Sequence, residues 1–160
     1  MSSGRVRLAI VGIGNPEVGD DGVGPALIRC LRSRQPQREG VLVTTLEGDL
    51  FGISEIVERA DRILLVDAIL AEPAGEVIED ATEFSPEARP VSQHQTDIVT
   101  VMRTLEALPL TEPFPPWSVW GVTITGPLRV GQDLNEVVRR GVESLCARLE
   151  DLLRELDAPS

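Results

Sequence analysis

Short apolar runs alternate along this chain with longer stretches in which apolar residues recur every three or four positions. Arg5 to Gly12 reads as a first strand. Asp21 to Ser33 follows as a helix, with Val23, Ala26, Leu27, Cys30 and Leu31 sharing one face. Val41 to Leu46 is a second strand, and Ile53 to Arg59 is a short helix with Ile56 and Val57 turned inward. Arg62 to Asp67 is a near-continuous apolar run, the pattern of a strand in the middle of a parallel sheet covered on both faces. Glu76 to Asp80, preceded by Pro73 and Gly75, predicts a short edge strand. From Thr96 a helical phase returns in Ile98, Val101, Met102, Leu105 and Leu108, until Pro109, Pro113, Pro115 and Pro116 stop it. Trp117 to Ile124 is the last strand. Leu134, Val138, Val142, Leu145, Leu149, Leu152 and Leu156 then mark a long final helix, with Asp133 expected as its N-cap. Such alternation predicts one α/β domain over residues 1–160. Its expected architecture is a three-layer sandwich, a mostly parallel central sheet of about five strands with helices on both faces. Residues from Asp157 onward are expected to fray.

Composition narrows the picture. Hydrophobic residues make up 42% of the chain but aromatics only 3%, with no tyrosine, so the core must be aliphatic. The formal net charge of −11 repels nucleic acid and anionic lipid, and it favours cations or a basic partner segment. No apolar run approaches the roughly 20 residues of a membrane span, and the first is too short for a signal peptide. Cys30 and Cys146 lie far apart in helical patterns without a CxxC, and read as two reduced core thiols. A cytoplasmic setting is therefore expected.

Chemistry concentrates between the first strand and the first helix. Gly12 to Gly24 holds five glycines and three carboxylates, Glu17, Asp20 and Asp21. The loop leaving the carboxyl end of a strand is where open α/β sheets place their sites. Its glycines invite a phosphate reading, which fails on two counts. Asn-Pro-Glu-Val separates Gly14 from Gly19, so the GxGxxG spacing of dinucleotide sites is absent, and no P-loop lysine follows. Three carboxylates would also repel a pyrophosphate. No nucleotide cofactor is expected. Asp20 fits best as the cap of the following helix. Asp21 fits either a harmless first-turn acid or a cation ligand, because adjacent side chains point in different directions.

The cation reading draws its partners from elsewhere in the chain. Asp67 follows the central apolar run, so its carboxylate is expected at the same sheet edge, and a carboxylate there needs compensation. His94, the lone histidine, stands just before the helix that starts near Thr96. A helix N-terminus disfavours imidazolium and keeps the ring able to bind metal. Asp21, Asp67 and His94 together suit nickel or zinc with coordination positions left open.

The runs Gly12-Ile-Gly-Asn-Pro-(x3)-Asp-Asp-Gly-Val-Gly24, Leu64-Leu-Val-Asp-Ala68 and Ser92-Gln-His-Gln95 resemble, in order and spacing, the hydrogenase maturation endopeptidases. That family removes a C-terminal extension from the large-subunit precursor of NiFe hydrogenase after nickel insertion. The resemblance implies that Asp21, Asp67 and His94 contact nickel, that the nickel is carried by the substrate as a recognition mark, and that the precursor is the partner. The protein is expected to be monomeric when free. Neither cysteine has the surroundings of a nucleophile, so water attack is expected, with Asp21 or Glu17 as base and the ion as template or Lewis acid. Two rivals remain open: a zinc-dependent hydrolase using the same three residues, and a non-catalytic module that binds nickel or the precursor. Two stretches depart from the family pattern. Glu47-Gly-Asp-Leu-Phe-Gly52 replaces the usual Asp-Gly-Gly-Thr, and Gly121-Val-Thr-Ile-Thr-Gly-Pro127 displaces a proline. Both are expected to touch substrate and so to bear on which hydrogenase is processed.

Overall fold

A computed structural model describes residues 4–15, 17, 19–81, 98–110, 112–126 and 130–158. Five strands form one sheet: β1 (Leu8–Ile13), β2 (Val41–Leu46), β3 (Ile63–Leu70), β4 (Val77–Ile78) and β5 (Trp117–Ile124), in the order β2-β1-β3-β5-β4. All neighbours are parallel except β4, which runs antiparallel to β5 at the edge. Among the described residues the α-helices are α1 (Val23–Arg34), α2 (Ile53–Val57), α3 (Ile98–Glu106) and α4 (Glu136–Asp157).

Strand alternation divides the core into two layers. Leu8, Ile10, Leu64, Val66 and Val122 pack with α1 and α4 on one face. Ala9, Val11, Ile63, Leu65 and Val119 pack with α2 and α3 on the other. The chain leaves β1 across the first face to β2, then crosses the second face through α2 to reach β3 on the opposite side of β1. Strand order therefore reverses between β1 and β3, the arrangement that opens a crevice at the carboxyl ends of the strands. The expected three-layer, mostly parallel five-stranded α/β fold is the one observed.

Several boundaries differ from the pattern reading, each for a physical reason. Asp67 does not end the central strand, because β3 continues to Leu70 by pairing with β5 along its whole length. The first strand reaches Ile13, with Val6 bridged separately to Ala60. Asp133 does not cap α4. Asn135 does so, its side-chain oxygen accepting from the Val137 N–H, and the helix then runs through Asp157. Thr96 lies outside the described residues, so the start of α3 expected there is not described.

Candidate functional site

The glycine-rich loop is shaped by close backbone packing. Gly24, in the first turn of α1, lies so near β1 that an added Cβ would sit 2.1 Å from the Ile13 carbonyl oxygen. Gly14, at φ +135°, would bring a Cβ to 2.1 Å from the carbonyl oxygen of Asp21. Only glycine fits such a conformation and contact together. A 3-10 turn at Gly19–Gly22 intervenes before α1 and packs against β3. Asn15 fastens the loop from within: its N–H donates to Asp21 Oδ2 at 2.9 Å, and its Oδ1 accepts from the Glu17 N–H at 2.9 Å.

Asp21 and Asp67 are the buried acidic side chains among the described residues, at 8% and 5% exposure. Their placement follows from register. β1 pairs with β3 only as far as Gly12 opposite Val66, and Asp67 is the next residue along β3. There β1 turns away into its loop while β5 still pairs with Asp67 through Gly121. The edge of β3 beside Asp67 thus opens towards the loop that carries Asp21. Asp67 Oδ1 accepts the N–H of Ala68 at 2.8 Å. By alternation with Leu65 and Ile69, the Asp67 side chain belongs to the face covered by α2 and α3.

The other predicted residues divide differently. Glu17 is exposed, and its backbone carbonyl accepts the Gly131 N–H at 2.7 Å. Asp20 does not cap α1, whose N-cap position is Gly22 with no side-chain capping bond. Asp20 Oδ1 instead accepts the backbone N–H of Asn135 at 2.7 Å. His94 lies outside the described residues, four positions before Ile98. Among the described residues no group of three His, Cys, Asp or Glu side chains could hold a metal ion. Of the predicted set, Asp21 and Asp67 are each buried at the carboxyl edge of the sheet, where the 3-10 turn that carries Asp21 packs against β3.

One feature of this edge was invisible in the pattern of the chain. Glu17 O to Gly131 N, Gly19 N to Gln132 O at 3.1 Å, and Asp20 to Asn135 strap the loop after β1 to the segment leading into α4. The two departures from the family pattern also find places. Asp49 accepts the Phe51 N–H at 3.0 Å and caps a 3-10 turn, leaving the Phe51 ring exposed. Thr123 is buried, donating to the Pro73 carbonyl at 2.6 Å and accepting from the Glu76 N–H at 2.8 Å, so it anchors the approach to β4.

The fold and its buried acids define a class of α/β protein with carboxylates at a topological switch point. Its structural relatives are the hydrogenase maturation proteases, as the motifs implied. The NiFe hydrogenase maturation protease HycI of Thermococcus kodakarensis superposes with a TM-score of 0.73 at 24% identity, covering 95% of both chains. HybD of Thermococcus kodakarensis, also a NiFe hydrogenase maturation protease, matches with a TM-score of 0.67 at 25% identity, over 92% of this chain and 99% of that one. By sequence, Protein FrxA of Pyrococcus furiosus is 28% identical over 143 residues, which are 86% of this chain and 98% of the relative. No family model matches the chain. Among the described residues no helix is long and apolar enough to cross a membrane.

Proposed function

We propose that this protein is an endopeptidase that removes the C-terminal extension of a NiFe hydrogenase large-subunit precursor once nickel has been inserted. The observation that carries the reading is the pairing of fold with burial. On a fold shared with hydrogenase maturation proteases, Asp21 and Asp67 are each buried at the sheet edge where the strand order reverses. Carboxylates buried at the carboxyl edge of the sheet can answer the charge of a cationic ligand. In this reading Asp21, Asp67 and His94 contact nickel that arrives as part of the substrate. Asp21 or Glu17 takes a proton from the attacking water. Water adds across the scissile amide, the C–N bond breaks, and a carboxylate and an amine leave.

The test mixes the protein with nickel-loaded and nickel-free precursor and weighs the products. Loss of one C-terminal peptide from the loaded precursor alone is the expected result. Asp67→Asn and His94→Ala should each slow processing by about a hundredfold or more, in line with the loss of a positioned charge at a reacting centre. Full processing by both Asp21→Asn and Glu17→Gln, with nickel recognition intact, would remove the proposed base. One tightly held zinc per chain in the purified protein, with no action on the precursor, would favour a zinc hydrolase instead.

A further inference from the structure

Strand β2 is the last in the sheet order, and among the described residues nothing pairs with its outer edge. Beside the amino-terminal half of this edge lies a groove of about 640 Å³. Leu31, Val41, Val43 and Leu153 supply its apolar lining, and Arg32 and Arg38 its cations. The groove lies towards the opposite end of β2 from the Glu47–Gly52 loop, so it is separate from the sheet edge that carries Asp21 and Asp67. Arg32 Nη2 donates to the Val43 carbonyl at 2.6 Å. That bond shows that Val43 turns its backbone polar groups outward, and alternation gives Thr45 the same aspect.

Charge is distributed unusually here. Arg29, Arg32, Arg34 and Arg38 fall within ten residues that contain no acid, in a chain of net charge −11. Two of them are answered by α4, where Arg34 pairs with Glu150 and Arg38 with Asp157. Arg29 and Arg32, on one face of α1 at i, i+3 spacing, have no carboxylate in ion-pair range among the described residues. An edge strand guarded by an arginine is a common defence against unwanted pairing. The same arginine becomes a recognition device when the incoming strand is acidic.

We propose that the outer edge of β2 docks an extended acidic segment of a partner protein, which adds to the sheet as a further strand. A backbone N–H of that segment takes over the Val43 carbonyl. Arg32, released from the edge, then grips a carboxylate of the segment, with Arg29 as a second cation and the groove receiving the alternate apolar side chains. Two unanswered arginines in an otherwise acidic protein select against a second copy of this chain and against basic peptides. The inference rests on the sheet edge and its charge, and it stands or falls independently of proteolysis.

The probe is a fluorescent peptide of alternating sequence, Glu-Val-Glu-Val-Glu-Val-Glu, followed by anisotropy against the full chain. Saturable binding is expected, weakening by about tenfold in Arg32→Glu and again when salt rises from about 50 to about 500 mM. Amide exchange should slow at Val43 and Thr45. Arg29→Glu, at an exposed helix position, should weaken binding by about threefold and serves if Arg32→Glu fails to fold. Equal binding by the matching Lys-Val peptide, unchanged affinity in both variants, or protection away from β2 would each overturn the proposal. So would self-association that protects β2 in the absence of peptide, because the occupant would then be a second copy.

Discussion

At the scale of single residues, the loop after β1 is governed by where a side chain has no room. Gly14 combines φ +135° with a backbone contact that leaves no space for a methyl group. Gly126, by contrast, faces open space, with no atom within 4 Å of an added Cβ. Gly14→Ala is therefore expected to destabilise the protein by about 2–4 kcal/mol, and Gly126→Ala to stay within about 0.5 kcal/mol. Urea unfolding of the two variants checks this. Equal midpoints would mean that the loop relaxes without cost. Because Gly14 packs on the Asp21 carbonyl, the alanine variant should also displace Asp21 and reduce precursor processing more than its stability loss explains. The acids of this loop are not equivalent. Asp21 is drawn inward by the Asn15 N–H, Asp20 is turned towards α4, and Glu17 stays at the surface.

At the scale of elements, α4 shows both what the sequence revealed and what it could not. Its apolar phase from Val138 to Leu149 was legible, because a helix face is written in local spacing. Its start was not. Asp133 and Asn135 are both good cap residues, and sequence offers no means of choosing between them. The choice is tertiary: Asp20, 115 positions upstream, accepts the Asn135 N–H and fixes that residue at the helix entrance. A carboxylate there is also favoured by the positive end of the helix dipole. Asp20→Ala is expected to cost about 1–2 kcal/mol, Asn135→Ala about 1 kcal/mol, and Asp133→Ala close to nothing. A thermal unfolding series on the three variants distinguishes the caps, and a large loss in Asp133→Ala would contradict the assignment. The same division applies to the acidic edge of the sheet. The alternation of strands and helices, and the placement of Asp67 beside the loop after β1, were readable from patterns. The extension of β3 past Asp67 was hidden, because it depends on a partner strand more than fifty residues away.

At the scale of the whole molecule, an unusual composition isolates one ionisation. The chain contains no lysine and no tyrosine. Between the titration of the terminal amine near pH 8 and that of the arginines above pH 12, its two cysteines are the side chains left to lose protons. The fold brings them together. Cys30 on α1 and Cys146 on α4 join the same core layer, Cys146 fully buried and Cys30 half-buried. Burial, followed by the hydrogen bond with Cys30, pushes the Cys146 thiol up to about 12 from an ordinary value near 9. A group whose pKa is higher in the folded state holds its proton longer there than in the unfolded chain. The folded state therefore binds more protons between these two values, and stability falls as pH rises through them. The unfolding temperature should decline steadily from about pH 9 towards pH 12. Cys146→Ala will start lower, because it leaves a cavity, but its slope over that interval should be shallower. Thiolate absorbance supplies the direct check. The Cys146 thiolate signal should develop at higher pH in the folded protein than in the unfolded one. Identical slopes in the two proteins would show that the buried thiol is not what couples this fold to alkaline pH.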